Sequence, residues 1–220
     1  MPFCLCDIET IGHPDAHQWL DPITKAPGNY KKADAIAAYI AEATAERDAR
    51  LGLDIDCNRI VALGYQDIGK EAIVALCSNE FEEREQLKLF WASFNVNQTR
   101  LLTFNGARFD LPVLVMRSLY LQVSHPEIVI APAWKTQHVD LWERLSLGGV
   151  RKDVKGLKFY AKRFGIPVYD DITGADVTRL VTENTPESWQ KIHDHCLFDL
   201  DLTRALAERL GVLTPTGVTA

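Results

Sequence analysis

Two carboxylates stand two residues apart in Cys6-Asp7-Ile8-Glu9-Thr10, directly after an apolar run, Phe3-Cys4-Leu5. Residues i and i+2 of a strand share a face, so Asp7 and Glu9 would project side by side from a first strand of about 3–9. Like charges that close cannot both stay ionised unless cations sit between them. In a second segment, Leu101-Leu102-Thr103-Phe104 runs into Asn105-Gly106, a turn dipeptide, and then Ala107-Arg108-Phe109-Asp110-Leu111-Pro112. Asp110 enters an apolar helical run with Pro112 in its first turn. Taken alone, Asp110 there reads as a helix cap. A third segment, His193-Asp194-His195-Cys196-Leu197-Phe198-Asp199, lies in a helix expected over about 186–210. At 100° per residue, Ile192, Cys196, Leu200, Leu202, Thr203, Leu206 and Ala207 share one arc, and Asp199 lies near its centre. Asp194, Asp201, Arg204 and Glu208 fall opposite. An ionised carboxylate on a core face is costly unless it is paired or holds a metal. His195 lies one turn before Asp199 at the edge of the same face.

Asp-Ile-Glu-Thr, then Asn-Gly-x-x-Phe-Asp-Leu-Pro, then His-Cys-x-x-Asp-x-x-x-Thr together resemble the three exonuclease motifs of the DEDD 3′–5′ exonuclease superfamily, on an RNase H-like fold. The nearest likeness is to the proofreading exonuclease domain of family B DNA polymerases and to related stand-alone predicted exonucleases. His138-Val139-Asp140-Leu141 and Gly174-Ala175-Asp176-Val177 are also similar to segments between the last two motifs of those stand-alone members. The resemblance spans about Phe3 to Leu210. It departs at one place: that branch has a tyrosine four residues before the last aspartate, and here His195 stands there. The other branch has a histidine five residues before, where this chain has Asp194.

The resemblance implies a two-metal hydrolase. Asp7, Glu9, Asp110 and Asp199 would hold two divalent cations, Mg²⁺ or Mn²⁺, about 3.5–4 Å apart. His195 would take the tyrosine's part in orienting, or deprotonating, the attacking water. Thr10 and the backbone near Ile8 would contact the terminal nucleotide, with Asn105 and Phe109 of the second motif also at the substrate. The implied reaction cleaves terminal phosphodiesters of single-stranded nucleic acid, DNA favoured over RNA, into nucleoside 5′-monophosphates from 3′ ends. A silent nucleic-acid- or partner-binding module on the same fold is the alternative. A separate polymerase or repair protein is a further expected partner.

These residues need a scaffold, and 220 residues can hold one α/β core of that size. The pattern predicts a mixed five-stranded sheet flanked by helices. Strands are expected at about 3–9, 59–66, 71–77 and 100–104, and a short one ends near His138 or Asp140. Helices are expected at about 31–50, 80–94, 110–121, 155–165 and 186–210. One RNase H-like exonuclease domain would occupy 1–211, with 11–57 as an inserted region over the cleft or a docking surface, and 212–220 as a disordered tail. Trp19 and Tyr30 in the insert are candidates for base stacking or for packing on the core, and Asp54 and Asp56 read as surface acids.

The formal charge of −6 argues against a protein that coats long duplex DNA through a basic face. It leaves room for one that grips a strand end. Arg151, Lys152, Lys155, Lys158, Lys162 and Arg163 surround a single acid, Asp153. Lys155, Lys158 and Lys162 would stack along one helix face, either as a solvated flank or as a phosphate track with Phe159 and Tyr160 interleaved. The five cysteines show no zinc spacing and read as buried free thiols of a reducing cytoplasm. With no basic leader and no apolar run of about 18–20 residues, neither a secretory signal nor a membrane span is expected.

Overall fold

The computed structural model describes residues 2–94, 99–127 and 138–214. Its centre is a five-stranded sheet in the order β3-β2-β1-β4-β5: β1 Phe3–Gly12, β2 Asn58–Asp67, β3 Ile73–Leu76, β4 Arg100–Thr103 and β5 His138–Asp140. β1 pairs antiparallel with β2, and β2 with β3, whereas β4 runs parallel to both β1 and β5. The sheet is therefore mixed, as the pattern of elements predicts.

The helices are α1 Ala16–Trp19, α2 Ala33–Ala49, α3 Glu80–Ser93, α4 Asp110–Tyr120, α5 Leu141–Leu145, α6 Leu157–Arg163, α7 Gly174–Glu183 and α8 Pro186–Arg209. None of the described helices is long and apolar enough to cross a membrane. Strand alternation splits β1 between two cores. Cys4, Cys6 and Ile8 pack with Leu87, Phe90 and Trp91 of α3 and Leu111 and Leu114 of α4. On the other face Leu5 packs with Leu202 and Leu206 of α8, and Ile11 with Val177 of α7 and Ile192 of α8. The β1–β2 register slips between Glu9, opposite Ala62, and Thr10, opposite Ile60. Val61 is the extra residue of a bulge, a feature common beside functional sites.

One charged group is buried on the α3–α4 side. The Arg117 guanidinium donates to both oxygens of Glu83 at 2.7 and 2.8 Å and to Glu80 Oε1 at 2.8 Å. Glu83 also accepts from the Ile60 N–H at 3.0 Å, and His13 Nε2 lies 3.0 Å from Glu80 Oε1. Arg117 and Glu83 are 2% and 0% exposed, so these bonds replace water for both.

Three boundaries differ from expectation. β1 does not stop at Glu9 but continues to Gly12, because β2 pairs with it throughout. The insert therefore starts after Gly12, and it contains α1 and a short 3-10 turn, Leu51–Leu53, besides α2. Val212 and Leu213, expected in a disordered tail, pack against the α8 core; residues 215–220 lie outside the described residues. Helices α5 and α7 were not anticipated. All five cysteines are free and buried.

Candidate functional site

Leu5, Asp7, Glu9 and Ile11 alternate toward the α8 side of β1. Pairing of β1 with β4 ends at Leu5 opposite Leu102, so Asp7 and Glu9 lie beyond the last β1–β4 pair. Asp7 stands opposite Gly64 of β2. A Cβ on Gly64 would lie 2.6 Å from Cys196 Sγ and 2.9 Å from Leu200 Cδ1. Only glycine lets α8 settle this low on the sheet, with Cys196 Sγ 4.0 Å from the Asp7 carbonyl. That approach brings His195 and Asp199 against the strand acids. One ligand atom from each of Glu9, His195 and Asp199 lies within 4.8 Å of the others.

Asp110 joins from α4. The N-cap of that helix is Phe109 and no side chain caps it, so Asp110 is its first residue rather than its cap. Burial, tempered by backbone hydrogen bonds and joined by the nearby Asp140 charge, pushes its carboxyl up to about 7. Burial and the charges of Asp110, Glu9 and Asp199 push Asp7 well above the usual carboxylate range. Burial, Asp199 and Asp110 do the same to Glu9 against a pull from Lys158. Asp199 is also raised, by burial, although His195 and Lys158 oppose it. Its Oδ1 is buried and has no hydrogen-bond partner among the described residues. Four raised carboxyls, two of them pushed further by the charges of Asp110 and Asp199 and one with an orphaned oxygen, fit a divalent cation, and an oxygen-rich donor set suits Mg²⁺ or Mn²⁺.

His195 is 3% exposed, deeper than its expected helix-edge position. Its Nε2 lies 3.3 Å from Glu9 Oε1, and its Nδ1 lies 2.6 Å from Asp170 Oδ2. Asp170 also accepts from Lys158 Nζ at 2.9 Å and from the Ile172 N–H at 3.1 Å. Burial opposes its charge, but the Lys158 and His195 hydrogen bonds hold its carboxyl below the usual range. Asp170 was not anticipated from sequence.

The second motif is braced from β5. Asp140 accepts from the N–H groups of Asn105 at 2.8 Å, Ala107 at 3.1 Å and Trp142 at 2.8 Å. Thr103 Oγ1 accepts from the Gly106 N–H at 3.1 Å and shares a 2.8 Å hydrogen bond with His138 Nε2. Burial lowers the His138 pKa to about 4, which keeps that ring neutral. A Cβ at Gly106 would lie 2.3 Å from Thr103 Oγ1, so this turn needs glycine. Asn105 itself adopts φ 65°, a conformation asparagine tolerates.

Asp7, Ile8, Asn105, Phe109, Asp110 and Lys155 line one cavity of about 310 Å³ together with Trp142. The Arg108 guanidinium stacks 3.7 Å above the Trp142 ring, which places a second cation beside the cavity. Other expected contacts lie elsewhere. The Thr10 hydroxyl donates to the Gly52 carbonyl at 2.6 Å and does not line the cavity. Lys155 precedes α6, so it cannot stack with Lys158 and Lys162 on that helix. Lys158 is held by Asp170 and the Ile172 carbonyl, and Tyr160 is buried, so the expected track is broken in both its charges and its rings. Trp19 stacks on His13 and Tyr30 on Tyr39, and neither lines the acidic cavity. Asp54 and Asp56 are exposed, as expected.

A family model described as a predicted 3′–5′ exonuclease related to the exonuclease domain of PolB matches residues 54–207. The match includes Asp110, Asp170, His195 and Asp199 and begins after Asp7 and Glu9. No curated protein matches. Among solved structures, the chain is similar to the family B DNA polymerase of the hyperthermophilic archaeon Pyrobaculum calidifontis, at 18% identity and a TM-score of 0.61. That alignment covers 96% of this chain and 24% of the polymerase, so the chain spans about a quarter of its length. The likeness establishes the fold, an α/β architecture of the RNase H-like kind. Because the family model covers well over half of its residues, the chain belongs to the predicted 3′–5′ exonucleases related to the exonuclease domain of PolB.

Proposed function

We propose that the chain is a metal-dependent 3′–5′ exonuclease that removes nucleoside 5′-monophosphates from single-stranded ends, DNA before RNA. The observation that carries this reading is the convergence of Asp7, Glu9, Asp110 and Asp199, whose carboxyls burial holds above the usual range, with the charges of Asp110 and Asp199 adding to the rise at Asp7 and Glu9. These four residues would hold two divalent cations. Such cations, when bound, supply a water of lowered pKa and offset charge gathering on the phosphate and the leaving 3′ oxygen.

The chain's own groups do the positioning. Asp140 ties the Asn105–Ala107 turn in place and so aims Asp110 at the strand acids. Asp170 fixes the His195 ring with Nε2 toward Glu9. Phe109 and Trp142 offer apolar cavity walls for a terminal nucleoside, and Lys155 and Arg108 offer charge for its phosphates. This is a grip on a few nucleotides at a strand end, which agrees with a net charge of −6.

The test is a 5′-labelled single-stranded oligonucleotide incubated with Mn²⁺ or Mg²⁺, with EDTA and Asp199→Ala as controls. A ladder shortening from the 3′ end, absent from both controls, is expected. An oligonucleotide that stays intact yet is retained by the protein would favour a silent binding module, which the histidine in place of tyrosine motivates.

A further inference from the structure

The resemblance casts His195 as the group that aligns the attacking water, but its surroundings suit another role. Asp170 receives three hydrogen bonds, from Lys158 Nζ, the Ile172 N–H and His195 Nδ1. An ammonium and an amide can only donate, so this carboxylate is an acceptor and the proton of the 2.6 Å contact belongs to Nδ1. The ring is thereby turned so that Nε2 points at the carboxylates. Nε2 lies 3.3 Å from Glu9 Oε1, and Asp199, one helical turn on, has its buried Oδ1 unpartnered among the described residues. A carboxylate that takes the N–H of a histidine whose other nitrogen faces acidic groups is the usual support of a metal-ligating imidazole. It fixes the tautomer and strengthens the ring as a donor.

We propose that His195 Nε2 is itself a metal ligand, completing a Glu9–His195–Asp199 set in which Asp170 is the positioning residue. The proposal rests on the cation-binding reading of this site and narrows it. A site of two carboxylates and one imidazole differs from an all-oxygen site. Imidazole binds first-row transition ions well and Mg²⁺ poorly. The position at Glu9, His195 and Asp199 therefore prefers Mn²⁺ over Mg²⁺, while the carboxylates of Asp7 and Asp110 provide oxygen donors that suit either ion.

Pulsed EPR of the full chain loaded with Mn²⁺ tests this without any turnover. A ¹⁴N coupling of imidazole size on bound Mn²⁺ is expected, and it should become a ¹⁵N coupling when the chain is made with ¹⁵N-histidine. His195→Gln should abolish the coupling and weaken Mn²⁺ binding by at least about 10-fold, while Mg²⁺ binding changes far less. Asp170→Asn should keep the coupling and weaken Mn²⁺ binding by about 10- to 100-fold. The labelled wild-type chain serves even if a variant misfolds. Mn²⁺ that binds tightly with no nitrogen coupling would overturn the assignment and leave His195 paired with Glu9 or aligning water, with the exonuclease reading intact. A wild-type chain that binds neither ion would overturn the cation site itself, and both readings with it.

Discussion

Two groups of buried charge lie against β1 on opposite faces of the sheet. On the α3–α4 side, Arg117, Glu83, Glu80 and His13 form a closed set in which every carboxylate meets a cation or an N–H. On the α8 side, Asp7, Glu9 and Asp199 crowd together and are joined by Asp110 from the first turn of α4, while Lys158 is turned to Asp170. The first group explains itself, because each of its acids meets a donor within the fold. The second carries an uncompensated cost that the fold retains. Acids held above their usual range by burial and by neighbouring carboxyls are the kind of group that a bound cation would relieve. A static difference in partnering thus separates the structural acids from the proposed site acids more sharply than burial does.

The largest effect should come from the open group. Asp7→Asn or Asp199→Asn should lower nuclease turnover by on the order of 10⁴-fold, about 5 kcal/mol of transition-state stabilisation. The same substitutions should leave Tm unchanged or raise it in EDTA, because each removes a repelled charge. A variant with full activity, or one that unfolds, would erase the contrast between the groups. Arg117→Met should do the reverse. It strands Glu83 in the core at a cost of about 3–5 kcal/mol, read as a lower urea midpoint. Activity per folded molecule should persist at low temperature.

Gly64→Ala sharpens the comparison from the packing side. The added methyl must displace Cys196 or Leu200, which costs about 1–3 kcal/mol and lifts the helix that carries His195 and Asp199. A shift of that kind should reduce turnover by on the order of 10²-fold, well beyond what the lost stability alone explains. Steady-state rates measured far below Tm separate the two.

The smallest effect is a pH signature. Asp110 titrates near 7 in the folded chain against an ordinary value of 3.8. Between those values the folded state binds more protons than the unfolded state, so this group lowers stability as pH rises from about 4 to 7. In EDTA, Tm should fall across that window, and Asp110→Asn should flatten the fall by a few degrees. Saturating Mn²⁺ should remove the slope at its upper end, because a bound cation takes the proton's place. A slope unchanged by both would mean that the acids are not coupled to folding.

Much of this arrangement was legible in the chain. Alternation around Asp7 and Glu9 placed both acids on one face, and the 100° periodicity of 186–210 placed Asp199 inward and Asp194 outward. Those patterns are local, and so they survive without knowledge of the fold. Asp170 was not legible. It lies in irregular chain between α6 and α7, where no period marks it, and its side-chain partners are 12 and 25 residues away. Lys158 was misjudged for the same reason, since its acid is remote in sequence. The bond between Arg117 and Glu83 spans 34 residues and two helices. Helix α7 did carry a signal that went unused: Thr173 and Asp176 form a capping box, and Asn184 closes the helix in the left-handed conformation.

The contact between Cys196 and Asp7 joins positions 189 residues apart. The strand acids are therefore synthesised well before the helix that completes the proposed site. β1, β2 and β3 can pair as soon as they are synthesised, since they are neighbours in both sequence and sheet. The proposed cation site needs α8 docked over Gly64. A nuclease built this way would stay silent until that helix is made and docked, and its first turnover would report that these two distant segments have met.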